Sequence, residues 1–197
     1  MQIKTIIMAF VVFIVIAGTA FALDLSYGVK SELLFTGFTG SHSKLEGFSR
    51  KEGNGFALGG FAKISLEDIL SVQPELLFNM KTDKYINKET DEKLSLILFY
   101  IEAPILFNVS FPLPVSIYLA PKLFAGPYFG IHLFSNDDVK SLGIDFKPYD
   151  FGIIVGMGID VQKMSFEITH SAGLISLSES LKHATHSINI GVKLKLK

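Results

Sequence analysis

The sequence predicts an all-β protein, an eight-stranded antiparallel up-and-down transmembrane β-barrel preceded by a cleaved signal peptide. Three observations predict it. Apolar and polar residues alternate with period two in segment after segment from residue 25 onward, and successive side chains of a strand point to opposite faces. The connections between these segments alternate between short and long. Charged residues are 19% of the 197-residue chain, below the roughly 25% of ordinary soluble domains, and many of them gather in the connections.

The N-terminus precedes the barrel. Lys4 supplies a positive start, Ile6 to Ile16 is unbroken and apolar, and Ala20-Phe21-Ala22 is a small-x-small cleavage site. This is the layout of a secretory signal peptide over residues 1–22, and its apolar core is shorter than the roughly 20 residues of a spanning helix. Residues 23–197 form the barrel domain. Lys4 is the one charged residue in the signal, so its removal takes the formal net charge from -1 to -2. No basic patch is evident, and nucleic acid is excluded as a partner class. The absence of cysteine excludes a disulfide framework and thiolate chemistry.

The strands follow in order. Leu25 to Thr39 sets Tyr27, Val29, Leu33 and Phe35 against Gly28, Lys30, Glu32 and Thr36. Gly55 to Leu66 puts Phe56, Leu58, Ile64 and Leu66 on one side, and Glu67-Asp68 turns the chain. Leu70 to Lys81 alternates most cleanly: Leu70, Val72, Pro74, Leu76, Phe78 and Met80 oppose Ser71, Gln73, Glu75, Asn79 and Lys81. Leu94 to Ser110 opposes Phe99, Ile101, Ala103, Ile105 and Phe107 to Tyr100, Glu102, Pro104 and Asn108. Two prolines in Phe111-Pro112-Leu113-Pro114 cannot continue a ladder and force a turn.

Ser116 to Phe129 sets Ile117, Leu119, Pro121, Leu123 and Ala125 against Tyr118, Lys122 and Gly126. Tyr149 to Val161 sets Phe151, Ile153, Val155, Met157 and Ile159 against Asp150, Gly152, Gly156, Gly158 and Asp160, before a tight turn at Gln162-Lys163. Met164 to Leu174 opposes Phe166 and Ile168 to Glu167 and Thr169, and Ser187 to Lys197 opposes Ile188, Ile190, Val192, Leu194 and Leu196 to Asn189, Gly191, Lys193 and Lys195. The long connections are residues 40–54, 82–93, 130–148 and 175–186. Short turns at one end and long loops at the other are the layout of an outer-membrane barrel, short side periplasmic.

Alternation alone leaves two orientations. With the apolar rows outward the barrel faces outer-membrane lipid. With the rows reversed it is a soluble periplasmic or secreted barrel binding a small apolar ligand. The first is favoured because the apolar rows carry almost no ionisable group, as expected where a charge at the bilayer midplane costs roughly 2 to 4 kcal/mol. The interior then holds a polar network of Lys30, Glu32, Glu75, Glu102, Lys122, Asp150, Asp160, Glu167 and Lys193, with Lys195. Such charges must pair, since an unpaired buried charge is costly, and an eight-stranded barrel has room only for side chains. Tyr27, Tyr118, Tyr128, Phe129 and Tyr149 are expected as interfacial anchors.

The segments Leu70 to Lys81, Tyr100-Ile-Glu-Ala-Pro-Ile-Leu-Phe-Asn108, Ala125-Gly-Pro-Tyr-Phe-Gly130, Asp150-Phe-Gly-Ile-Ile-Val-Gly-Met-Gly158 and Gly173-Leu174 resemble the strand signatures of the PorT-like outer-membrane beta-barrel family. The resemblance spans the mature chain. It implies a barrel in the outer membrane, some of whose relatives serve secretion. The chain departs from that pattern at Glu32 and Leu34, where the family tends toward glycine and asparagine.

Candidate chemistry is sparse, and the reading is non-enzymatic with no cofactor and no metal site. His170-Ser171 would be the serine and base of a lipid A-modifying enzyme, but neighbours in a strand point to opposite faces. His183-Ala-Thr-His186, with Glu179 nearby, has metal-compatible spacing but sits in a connection. Glu75 and Glu102 pair better with Lys30 or Lys122 than with each other as acid and base. Gly156-Met-Gly158 lies within a strand and opens no phosphate loop. The function expected is structural or interactive, in envelope integrity, adhesion or secretion, with a possible protein partner at the surface loops.

Overall fold

The computed structural model describes residues 24–39, 48–87, 93–136, 147–176 and 184–197. They form eight strands: β1 (Leu25–Thr39), β2 (Phe48–Ser65), β3 (Leu70–Asn87), β4 (Lys93–Ser110), β5 (Leu119–Ser135), β6 (Tyr149–Val161), β7 (Met164–Gly173) and β8 (Ala184–Lys195). Each pairs antiparallel with its neighbours in sequence, and β1 closes on β8. The predicted signal peptide lies outside the described residues.

The register sets the barrel's shape. Leu34 lies opposite Gly55 on β2. The row leaving Leu34 the other way runs through Asn189, Thr169, Gly156, Phe124, Asn108 and Ser71, and reaches β2 at Ser65. Arriving at position 65 instead of 55 is a shear of ten residues. Eight strands with that shear tilt about 40° and close at a radius of about 8 Å. A cylinder so narrow is filled by its own side chains.

The faces sort by chemistry. Along one ladder row outside, Leu33, Ile190, Ile168, Met157 and Leu123 succeed one another across five strands, each between 50% and 63% exposed. Inside, Lys30, Glu32, Glu75, Glu102, Lys122, Asp150, Glu167 and Lys193 are all buried. A soluble barrel with an apolar interior is therefore the wrong way round. An arginine at Ile168 would sit near mid-height on the apolar wall and is expected to cost about 2 to 4 kcal/mol, against about 0 to 1 kcal/mol at Leu196 beside the mouth. Guanidinium unfolding of the two variants in detergent micelles checks this, and equal costs would mean that the wall does not face hydrocarbon.

Strand ends differ from expectation at the long-connection end. Residues 48–54, 82–87, 130–135 and 184–186 were expected in connections and are strand. There the wall rises past the apolar band, so backbone pairing continues after apolar alternation has no lipid to answer. Conversely, β5 begins at Leu119, because the proline-bearing connection 111–118 includes Ile117 and Tyr118. Gln162 opens the two-residue β6–β7 turn with a φ of 54°, the left-handed value such a hairpin needs at a central position. Inside, Gly152 and Gly156 make room for aromatic rings: a Cβ on either would lie 2.5 Å from the ring of Tyr128 or of Phe124.

Candidate functional site: the ion-paired lumen

The lumen holds two charged layers separated by apolar side chains. The layer nearer the short turns is built from inward positions of β1, β3, β5, β7 and β8. Lys30 Nζ lies 3.0 Å from Glu32, 2.8 Å from Glu75 and 3.7 Å from Glu167. Lys193 Nζ is 2.8 Å from both Glu75 and Glu167, and Lys122 Nζ is 2.7 Å from Glu167 and 2.6 Å from Asp160. Gln73 donates to Glu75 at 2.6 Å, and Lys122 donates to Ser165 at 2.7 Å. Three lysines thus face three glutamates in a buried space, where only pairing makes burial tolerable.

Asp160 marks the mouth of this layer, where it also meets Lys63 at 3.3 Å. Beyond it opens a vestibule of about 290 Å³, lined among others by Asp24, Lys63, Tyr118, Lys163 and Lys195. Lys195 was expected inside the network. It is exposed at this mouth instead, because β8 ends there and position 195 has no lumen left to face.

The second layer lies toward the long connections. Lys81 Nζ sits 2.5 Å from Glu102 and 3.8 Å from Asp150, with the rings of Tyr100 and Tyr128 5.2 and 5.5 Å away. Asp150 Oδ2 accepts from Tyr128 at 3.1 Å and from Thr185 at 3.0 Å. Glu102 therefore pairs with Lys81, not with Lys30 or Lys122. Tyr128 was expected as an interfacial anchor and is buried at 1% exposure, since β5 turns its even-numbered positions inward along with Lys122 and Phe124. Asp83, expected in a connection, is buried and accepts from Tyr85 at 3.0 Å.

Between the layers Leu106, Phe124, Tyr128 and Ile154 form an apolar septum. Phe124 borders the lower layer, its ring 5.9 and 5.7 Å from the ammonium groups of Lys122 and Lys193, and Tyr128 borders the upper.

The remaining candidates separate. His170 faces outward, whereas Ser171 faces in and shares a 2.6 Å hydrogen bond with Ser187, so the two form no nucleophile and base. Of the metal-spaced histidines, His186 lies on β8 while His183 and Glu179 are outside the described residues. Sequence reading left out Lys81 and Lys63 as lumen cations. The signal was available for Lys81, which continues the inward row of Glu75 and Asn79.

Comparison with known proteins gives a family and a fold. A family profile described as "Outer membrane protein beta-barrel domain" matches residues 21–179. No curated protein matches the chain. Among solved structures, the outer membrane protein OprG from Pseudomonas aeruginosa aligns with a TM-score of 0.51 at 12% identity, covering 87% of this chain and 94% of that one. Neisserial surface protein A aligns with a TM-score of 0.46 at 12% identity over 86% and 97% of the two chains. The attachment invasion locus protein Ail of Yersinia pestis, solved with the heparin analogue sucrose octasulfate, aligns with a TM-score of 0.41 at 10% identity over 87% and 99%.

Proposed function

This chain belongs to the outer membrane protein beta-barrel domain family, and from that premise we propose that it is a non-enzymatic, non-conducting outer-membrane barrel acting through its cell-surface end. The observation that carries the reading is the closed lumen: two ion-paired layers with the apolar septum of Leu106, Phe124, Tyr128 and Ile154 between them. In this reading Lys30, Glu32, Glu75, Glu102, Lys122, Asp150, Asp160, Glu167 and Lys193 are structural. They hold the cylinder rigid and dry, and no ion crosses the septum. The short turns face the periplasm, and the tall end of β2 to β5 with its connections faces outward to meet a partner. The resemblance to the PorT-like family supports an accessory part in secretion among the interaction roles. Residues 1–22 serve as the export signal.

Reconstitution in a planar bilayer tests this. The folded protein, recognised by a gel mobility that changes on boiling, is expected to insert without steady conductance, and the outer-membrane form is expected to begin at Leu23. Steady ohmic steps from the heat-modifiable species would sink the plugged-barrel reading.

A further inference from the structure

The outward face of the tall wall carries three lysines on three adjacent strands. Lys51 on β2 lies directly opposite Lys84 on β3, and Lys84 lies opposite Ser95 on β4. Lys93 stands two residues before Ser95, diagonal to Lys84. All three are exposed. They share the outward face because Lys84 is in phase with Met80 on β3, and Lys93 with Phe99 on β4. Met80 and Phe99 are partners in the ladder, and Phe99 stacks on the outward ring of Phe134 at 4.4 Å.

Like charges directly opposite one another weaken a strand pair, and among the described residues none of the three makes an ion pair. Two facing lysines with a third on the diagonal are therefore a cost to the fold that an external anion would offset.

Height identifies that anion. From Leu70 to Met80 the wall climbs about 25 Å, the thickness of the apolar band of an outer-membrane barrel. Lys84 is four residues further, about 10 Å above the band's edge, where lipid headgroups lie. We propose that Lys51, Lys84 and Lys93 form a binding patch for the phosphate groups of an outer-leaflet glycolipid of the lipid A type. This rests on the orientation given above, with the long connections at the cell surface. Outward-pointing ammonium groups at headgroup height complement phosphomonoesters of neighbouring lipids, and each is free to swing its four-carbon stem toward one. Glu89, Asp91 and Glu92 stand between β3 and β4 in the sequence, and they are the competing acids that the test must separate.

The test uses the full-length protein refolded in zwitterionic detergent and fluorescent lipid A, followed by anisotropy at low salt. Lys51→Gln, Lys84→Gln and Lys93→Gln combined are expected to weaken binding roughly tenfold or more, with heat-modifiable mobility retained. Dephosphorylated lipid A should lose affinity to a similar degree on the wild-type protein. Unchanged binding by the triple variant overturns the patch, as does equal binding of dephosphorylated lipid A. Equal binding of phosphatidylglycerol overturns the glycolipid as its occupant. A triple variant that unfolds more readily while binding lipid A normally assigns the lysines to the loop acids, and overturns the proposal too. Orientation is read separately, through labelling of Asp91→Cys by an impermeant maleimide on intact cells. Failure there condemns the orientation whatever the binding shows.

Discussion

Glu167→Ala is expected to lower the stability of the folded barrel by about 3 to 5 kcal/mol. The side chain is buried at 2% exposure and lies within ion-pair distance of three lysines: Lys122 at 2.7 Å, Lys193 at 2.8 Å and Lys30 at 3.7 Å. Its loss leaves four ammonium groups, those of Lys30, Lys122, Lys193 and Lys63, to share Glu32, Glu75 and Asp160. The septum side chains Leu106, Phe124 and Ile154 are apolar and offer them no carboxylate. The deficit is one uncompensated charge, so removing one of the lysines should offset part of what was lost. Lys122→Met in the same chain is the choice, because Asp160 at the mouth keeps Lys63 as a partner. The double variant is expected to be less destabilised than the sum of the singles by about 1 to 3 kcal/mol. Guanidinium unfolding in detergent micelles, read by gel mobility, measures all four proteins. A loss under about 1 kcal/mol in the single variant would show that water reaches the lower layer and screens it, and the closed lumen would have to be abandoned.

How far the sequence led depends on where the physics acts on single residues. Strict alternation such as Leu76, Phe78 and Met80 against Glu75, Asn79 and Lys81 names the strands and their faces, because lipid admits almost no exception on one side of a wall. The two-residue turn at Gln162-Lys163 and the prolines at 112 and 114 likewise act locally. β1 and β6 were legible to their ends for this reason. The tall ends of β2 and β3 were not, since residues 48–54 and 82–87 meet no hydrocarbon, and backbone pairing alone leaves no trace in side-chain pattern. Tyr128 shows a different failure. Its residue type suggests an interfacial anchor, while its place in the row of Lys122 and Phe124 puts it inside, and the row decides. Which acid meets which lysine was beyond reach. Pairing Glu102 with Lys81 and not with Lys30 depends on the shear of the closed barrel, a property of all eight strands at once. The three outward lysines were invisible for the same reason: only the register places Lys51 opposite Lys84.

The upper layer should respond to Lys81→Met as strongly as the lower one responds to losing Glu167, by about 3 to 5 kcal/mol, but its rescue should be lopsided. Lys81 is the cation shared by Glu102 at 2.5 Å and Asp150 at 3.8 Å, and its ammonium also lies against the rings of Tyr100 and Tyr128. When it is gone the two carboxylates are not left equal. Asp150 keeps the hydroxyl donors of Tyr128 and Thr185, which continue to solvate its charge. Among the described residues Glu102 Oε1 has the ion pair with Lys81 and no hydroxyl donor, so its charge becomes the stranded one. Glu102→Gln added to Lys81→Met should therefore recover more than half of the loss, whereas Asp150→Asn should recover little and disturb the Tyr128 and Thr185 hydroxyls besides. Unfolding midpoints of the single and the two double variants distinguish these outcomes. If both second changes rescue equally, the layer is a diffuse pool of charge in trapped water. A lopsided rescue means that individual donors and acceptors hold it, and that the barrel is closed at this end by geometry as well as by apolar bulk.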